Sequence, residues 1–269
     1  MNQELTPFVC RLTDAPRQVQ LPSQFFYVSQ DNYLVVPVHS GSAPRYLYSD
    51  SATSCVIVVM QGHDQHGEEI VFFTHTSGGI RSERMFEVID NTFVGPVNVW
   101  AQGANPPEAS SSHTNIVMIN SWLEDHAQPD SSAWYVNQAE CYLGQGDPRF
   151  CNRGEFGVDL HLGVISNRSF ELESNHRDPT GGLQSLFTLF GRHVQPKLLV
   201  WDASHSFPHS ATHQMVDAAW DAGWTVLLDL DSDTILRHCS TTPDYEPDWF
   251  VDTLLQSAQF VLLQRASRP

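Results

Sequence analysis

The alternation of apolar and polar positions divides the chain into a β-rich first two thirds and a last third of mixed character. Cys55-Val56-Ile57-Val58-Val59-Met60 is the longest uninterrupted apolar run. Its β-branched majority predicts a buried strand. Gln61 to Gly67 reads as a polar turn, and Glu69-Ile70-Val71-Phe72-Phe73-Thr74-His75 as the returning strand of a hairpin. Upstream, Gln24 to Ser29 and Tyr33 to Val38 are short β-rich pieces separated by Gly, Pro and Ser. Downstream, Arg81 to Ile89 predicts a helix and Val97 to Ala101 a strand running into Gly103. Asn105 to Ser112 is a loop rich in Pro and Ser. Asn115 to His126 fits helix or strand, because its apolar residues satisfy both periods. Glu140 to Leu143 and Gly157 to Val164 read as further strands.

In the last third, Leu183 to Phe190, Ser210 to Ala222 and Pro247 to Ser257 predict helices. Leu198 to Trp201, Trp224 to Leu228 and Phe260 to Leu263 predict strands between them, a βαβ-like alternation. Asn, His, Asp, Pro and two glycines cluster over Asn175 to Gly182, as linkers do. The expectation is an α/β protein: a β-sandwich-centred module over residues 1–175 with flanking helices, and a C-terminal α/β extension over 176–269. The extension can equally share the sheet system and globule of the first part. No repeat of 20–50 residues appears, which excludes solenoids and propellers.

Charge narrows the partners. Fourteen Lys+Arg against 31 Asp+Glu give a formal net charge of −17 in 269 residues. Nucleic acid and anionic membrane both reward positive charge, so neither is expected as a partner. With 41% hydrophobic and 17% charged residues the composition is that of a globule, not of a disordered chain. The longest apolar run falls far short of the roughly 20 residues of a spanning helix. Met1 to Leu5 carry no basic or apolar signal segment, so no Sec-type export is expected. Five cysteines (Cys10, Cys55, Cys141, Cys151 and Cys239) are widely spaced with no CxxC pair. They read as thiols in a reducing compartment, apolar core residues apart from any that react.

One cysteine stands where chemistry can use it. Cys55 opens the apolar strand and His75 closes its hairpin partner. The start of one antiparallel strand lies beside the end of the other, so the two side chains are expected as neighbours. Imidazole within reach of a thiol can take its proton and generate the nucleophile. The expected separation is about 3–4.5 Å between sulfur and ring nitrogen, in an open concave site.

These residues resemble the Cys–His protein-glutamine deamidase group: the chemoreceptor deamidase CheD, the catalytic domain of cytotoxic necrotizing factor, and Burkholderia lethal factor. That group has a hydroxyl residue six positions before the cysteine, then strand, turn, strand and histidine. Here Ser49 holds the hydroxyl position, where the family has threonine. Ser54-Cys55 matches the CheD form of the motif, while its leucine and glycine are absent from Ala52-Thr53. Phe72 to His75 is similar to the strand that carries the family histidine, and Val99 to Ala104 to the strand-Gly-Gly-Ala segment beyond it. The resemblance covers about 33–165 and leaves the C-terminal 90 or so residues without a counterpart.

The resemblance implies a β-sandwich α/β fold and a cofactor-free hydrolase. Cys55 would attack the carboxamide of a glutamine in a target protein. His75 would shuttle the proton, Ser49 would orient the imidazole, and Ser54 with backbone N–H groups would support the oxyanion site. It further implies a bacterial toxin or effector, a virulence factor exported by a specialised route and acting in a target-cell cytoplasm; otherwise the protein acts in its own cytoplasm. The single lysine, Lys197, against 13 arginines agrees with a chain that avoids ubiquitin attachment.

Two other readings stand beside it. His205, His209 and His213 recur at four-residue spacing after Asp202, a pattern that could hold zinc in a metal-dependent hydrolase. Pro208 interrupts the helix that such spacing needs. Asp229, Asp231 and Asp233 read as an acidic turn, lacking the Gly and distal Glu of a calcium loop. Gly78-Gly79 and Gly181-Gly182 read as turn or cap glycines; no phosphate-binding loop is present. The 7 Trp, 15 Phe and 7 Tyr could equally serve a non-catalytic protein-binding module.

Overall fold

A computed structural model describes residues 5–11, 25–38, 44–129, 132–145, 155–166, 178, 180–192, 197–200 and 212–267. The central hairpin forms as its pattern requires. β5 (Val56–Asp64) pairs antiparallel with β6 (Glu69–Thr76), with Ile57 opposite His75. Around it stand β3 (Asn32–Pro37) beside β6 and β7 (Phe93–Gly103) beside β5, both antiparallel. β8 (Trp134–Leu143) runs parallel to β7, and β11 (Lys197–Leu198) parallel to β3, completing the six-stranded order β11-β3-β6-β5-β7-β8.

The second sheet is smaller. It contains β1 (Val9–Arg11), β2 (Phe25–Tyr27), β4 (Tyr46–Ser49), β9 (Phe156–Asp159) and β10 (Val164–Ser166) in the order β1-β10-β9-β4-β2. The two sheets share one core. Leu47, Phe156, Val158 and Ile165 of the smaller sheet cluster with Ile57, Val59, Val71, Phe73 and Trp100 of the larger. The alternate residues Val56, Val58 and Met60 face the other way, onto α1 (Ile80–Asp90) and α2 (Ser110–Asp125). β5 is therefore buried on both faces, which is why it reads as a continuous apolar run and not as an alternation. The ambiguous Asn115–His126 segment is helical, with Asn115, Ile119 and Trp122 on the buried side.

The polar stretch after Met60 does not turn at once. β5 continues to Asp64 because its polar side chains find polar neighbours: Gln61 Nε2 donates to Glu69 Oε1 at 2.7 Å, and Asn98 Nδ2 to Gln61 Oε1 at 3.3 Å. Asp64 Oδ1 then accepts from the N–H groups of His66 and Glu68 and closes the turn.

The last third differs most from its pattern. α3 (Gly181–Leu189), α4 (His213–Asp221) and α6 (Phe250–Ala266) agree with expectation, and α5 (Ser232–Cys239) adds a further helix. The expected strand at Trp224 to Leu228 is instead a 3-10 helix, Trp224–Asp229, entered from Gly223. Its buried residues, Trp224 and Leu227, are spaced three apart as that helix requires. Phe260 to Leu263, also expected as a strand, lies inside α6, where Leu254, Ala258 and Val261 make the buried stripe. A four-residue apolar run carries no period of its own, and the helical stripe around it decides. Among the described residues the C-terminal region is a helical layer with its own core, plus the short β11. Among the described residues no helix is long and apolar enough to cross a membrane.

Candidate active site

Three chain segments meet at one end of the larger sheet: the loop 50–55 entering β5, the exit of β6, and the exit of β7. Gly103 ends β7 with φ +127, and a Cβ there would lie 2.3 Å from the Cys55 carbonyl oxygen. Its absence lets the Ala104 N–H donate to Cys55 O at 2.7 Å and the Asn105 N–H to Thr53 O at 2.6 Å. From the other side Asn115 Nδ2 donates to Ser54 O at 2.7 Å and to Ser77 O at 3.2 Å, tying the loop before Cys55 to the loop after His75. Gly78 makes room, since a Cβ there would lie 2.1 Å from Asn115 Oδ1. The non-glycine residues with positive φ among the described residues, Asp31 (56°), Ser51 (58°) and Ala104 (55°), all lie at this end. Each such residue costs about 1–3 kcal/mol, and they collect where a site over-determines the backbone.

Cys55 immediately precedes β5 and is two residues from Ile57, the cross-strand partner of His75. The two side chains therefore share a face as diagonal neighbours. Both line a pocket of about 250 Å³ between the sheet ends and the helical layer. Its walls come from α3 (Ser185, Thr188), from the start of α6 (Phe250, Thr253) and from residues ahead of it (Ser240, Thr241). Cys55 is only 8% exposed and His75 3%, so the site is a recess and not the open concavity the sequence suggested. Asp178 and Glu246 also line it.

Hydrogen bonding fixes the state of the imidazole. Ser49 Oγ donates to the Val28 carbonyl at 2.6 Å, which uses its one proton. Toward His75 Nδ1, 2.8 Å away, the same oxygen can then only accept. Nδ1 carries the proton, and Nε2 is left with a bare lone pair and no hydrogen-bond partner. Burial lowers the His75 pKa to about 4 against the opposing pull of Asp31 and Asp50, so the ring is neutral at pH 7. Burial likewise pushes the Cys55 thiol up, and Asp31 and Glu246 add to it more than Arg81 and the Ser54 hydroxyl take away. The resting pair is neutral thiol and neutral imidazole, with no hydrogen bond from Nε2 to the sulfur.

No family model and no curated protein matches this chain.

Ser54 Oγ lies 3.3 Å from Thr241 Oγ1, so it joins the loop to the helical layer. Two participants escaped the sequence reading. Asp31 lies between β2 and β3 and reaches the site only through the fold. Its N–H donates to His75 O at 2.6 Å, and its carboxylate accepts from Ser77 N, Ser77 Oγ, Arg81 Nη1 and Thr188 Oγ1 at 2.7–3.0 Å. Glu246 sits 191 positions from Cys55, in the turn before α6. Its Oε1 accepts from Ser240 Oγ at 2.6 Å and from Thr53 Oγ1 at 3.4 Å. Long sequence separation with no periodic signal hid both.

The alternative metal site gains nothing here. Asp202, His205 and His209 lie outside the described residues, and His213 is exposed at the start of α4. Asp231 caps α5 by accepting from Thr234 N at 2.9 Å, and Asp233 pairs with Arg237 one turn on. Among the described residues no three His, Cys, Asp or Glu are grouped to hold a metal ion.

Proposed function

We propose that the chain is a cysteine-dependent hydrolase that converts a glutamine side chain of a target protein to glutamate. One observation carries this reading: a buried histidine, held by Ser49 with its proton on Nδ1, keeps an unpartnered Nε2 in the same pocket as a cysteine thiol. A buried polar atom without a partner costs about 1–3 kcal/mol, and His75 carries that cost in a pocket that Cys55 also lines.

In the proposed reaction Cys55 Sγ attacks the carboxamide carbon as its proton passes to His75 Nε2. The C–N bond breaks, the proton goes to nitrogen, and ammonia leaves a thioester on Cys55. Water then adds with its proton taken by Nε2. The thioester C–S bond breaks, the proton returns to sulfur, and the acid product departs with the enzyme unchanged. Because the thiol is neutral at rest, His75 acts as a general base in the attacking step, in the manner of a serine hydrolase and not of a preformed thiolate pair. Similarity of Ser49, Ser54, Cys55 and His75 to the glutamine deamidase motif is what selects an amide side chain over other acyl groups. The same resemblance supports a toxin or effector acting on a foreign protein.

Intact-mass analysis of target proteins after exposure tests this. Each event adds about one dalton as amide becomes acid. A gain with the native chain and none with Cys55→Ser is expected; an equal gain with both removes Cys55 from the reaction.

A further inference from the structure

We propose that the C-terminal helical layer is a lid over Cys55 and His75. It opens along the edge where Thr53 and Ser54 meet Thr241 and Thr242, with the α3 edge as its pivot. The lid rests on packing alone; its purpose, to admit a glutamine of a target protein, rests on the hydrolase reading above.

Among the described residues the layer shares no apolar core with the sheets. The buried cluster that holds it together runs from Leu183 to Val261 and takes nothing from the strands. Neither cluster of the sheets takes a residue of α3, α4, α5 or α6. Parts of a chain that meet without a large apolar interface are expected to move relative to one another.

The contacts that cross from layer to sheets around the pocket are polar, and the two edges differ. At the α3 edge Gln30 Nε2 donates to Thr188 Oγ1 at 3.0 Å and Ser185 Oγ to Gln30 Oε1 at 3.1 Å. The buried Asp31–Arg81 pair adds charged bonds there, to Thr188 and to the Arg192 carbonyl. At the other edge hydroxyls meet hydroxyls. Thr242 Oγ1 donates to Thr53 Oγ1 at 3.1 Å, and Ser54 Oγ lies 3.3 Å from Thr241 Oγ1. Glu246 accepts from Thr53 at 3.4 Å, but from Ser240 of its own layer at 2.6 Å. Hydrogen bonds to charged groups are the stronger kind, so the α3 edge holds while the hydroxyl edge parts.

The chemistry needs that opening. Cys55 and His75 are buried behind this wall, in a recess of about 250 Å³. A glutamine on a protein brings its main chain with it, and its carboxamide reaches the sulfur only when the wall moves. Closure afterwards shuts the reacting groups away from bulk water.

Alkylation of Cys55 by iodoacetamide measures opening without turnover. The buried thiol, its pKa pushed up, stays unreactive until solvent reaches it. The full-length chain is labelled under native conditions and followed by peptide mass spectrometry, with the half-buried Cys141 as reference thiol. Cys55 labelling should depend on urea far less than unfolding does, because opening exposes less surface. Thr242→Val should speed it about fivefold or more, with Cys141 unchanged. A closed lid is made with Thr53→Cys and Thr242→Cys in a Cys239→Ser background, oxidised so that the two introduced thiols join, which peptide mapping checks. Labelling of Cys55 should then slow about tenfold or more and recover on reduction. Equal rates in linked and reduced chains, equal rates in native and Thr242→Val chains, or a urea dependence as steep as unfolding overturns the lid. The mass gain on a target protein should vanish in the linked chain and return on reduction; turnover that survives the link overturns the purpose. No turnover in any form, with labelling still governed by the link, defeats the glutamine reading and leaves the lid standing.

Discussion

Asp31 and His75 are joined by a backbone hydrogen bond, yet the fold treats their buried side chains in opposite ways. The Asp31 carboxylate is saturated. It takes donors from the loop after β6, from α1 and from α3, including an ion pair with Arg81 in which both side chains are at most 5% exposed. Arg81 in turn reaches Thr188 and the Arg192 carbonyl. His75, one strand away, has one nitrogen fully specified and the other left without a partner. A buried group that fastens layers together is satisfied to the last donor, because each missing bond costs stability. A group reserved for chemistry keeps one valence open and is stabilised through its other atoms. The contrast supports the proposal that His75, and not the more conspicuous Asp31–Arg81 pair, is the working residue.

The largest expected effect is chemical. Cys55→Ser should lower kcat/KM by at least about 10³-fold, roughly 4 kcal/mol of barrier, while thermal melting stays close to that of the native chain. His75→Ala added to it should cost little more, as for members of one unit.

Arg81→Met breaks the comparison from the structural side. It strands a buried carboxylate and should cost about 3–5 kcal/mol in urea unfolding. Adding Asp31→Asn should recover part of that loss. Independent costs that simply add would mean the two residues are not a unit.

Next in size is a pH effect. Unfolded histidine titrates near 6.5, while folded His75 holds off its proton until about pH 4. Between those values the unfolded chain binds a proton that the folded chain does not, so stability falls as pH falls from 6.5 to 4 and levels off below. The His75 share is about 3 kcal/mol, measured as the difference in acid dependence between native chain and His75→Gln. Activity should fade through the same low range as the base becomes protonated, with no alkaline limb below about pH 10 because the thiol is pushed up.

The smallest effect concerns orientation. Ser49→Ala removes the acceptor that fixes the Nδ1 proton and should lower kcat about tenfold, with a stability cost near 1 kcal/mol. Ser49→Thr keeps the hydroxyl and should recover most of the rate. Equal losses in both would assign Ser49 to packing.

The sequence made the hairpin and its two ends legible because β5 is buried on both faces and so carries an unmistakable apolar run. Register then placed Cys55 and His75 on one face without further information. Ser49 was found by its spacing from Cys55. The helical layer was misread where short apolar runs, Trp224 to Leu228 and Phe260 to Leu263, took their period from neighbours packed on them in space. Asp31 and Glu246 were invisible for a related reason. Each contributes one carboxylate from a turn, and only tertiary packing brings a turn to a site. The depth of the recess also depends on the C-terminal layer, which the local pattern around Cys55 could not reveal.

The central claim is that His75 is a neutral base with its proton on Nδ1 and a bare Nε2 in the pocket that Cys55 also lines. Nitrogen-15 NMR of the histidine rings measures this directly. A neutral ring at pH 6.5, protonated at Nδ1, with an Nε2 resonance that shifts on Cys55→Ala and again on Ser49→Ala, is the predicted result. A ring protonated at Nε2, or one already an imidazolium at pH 6.5, would contradict the account.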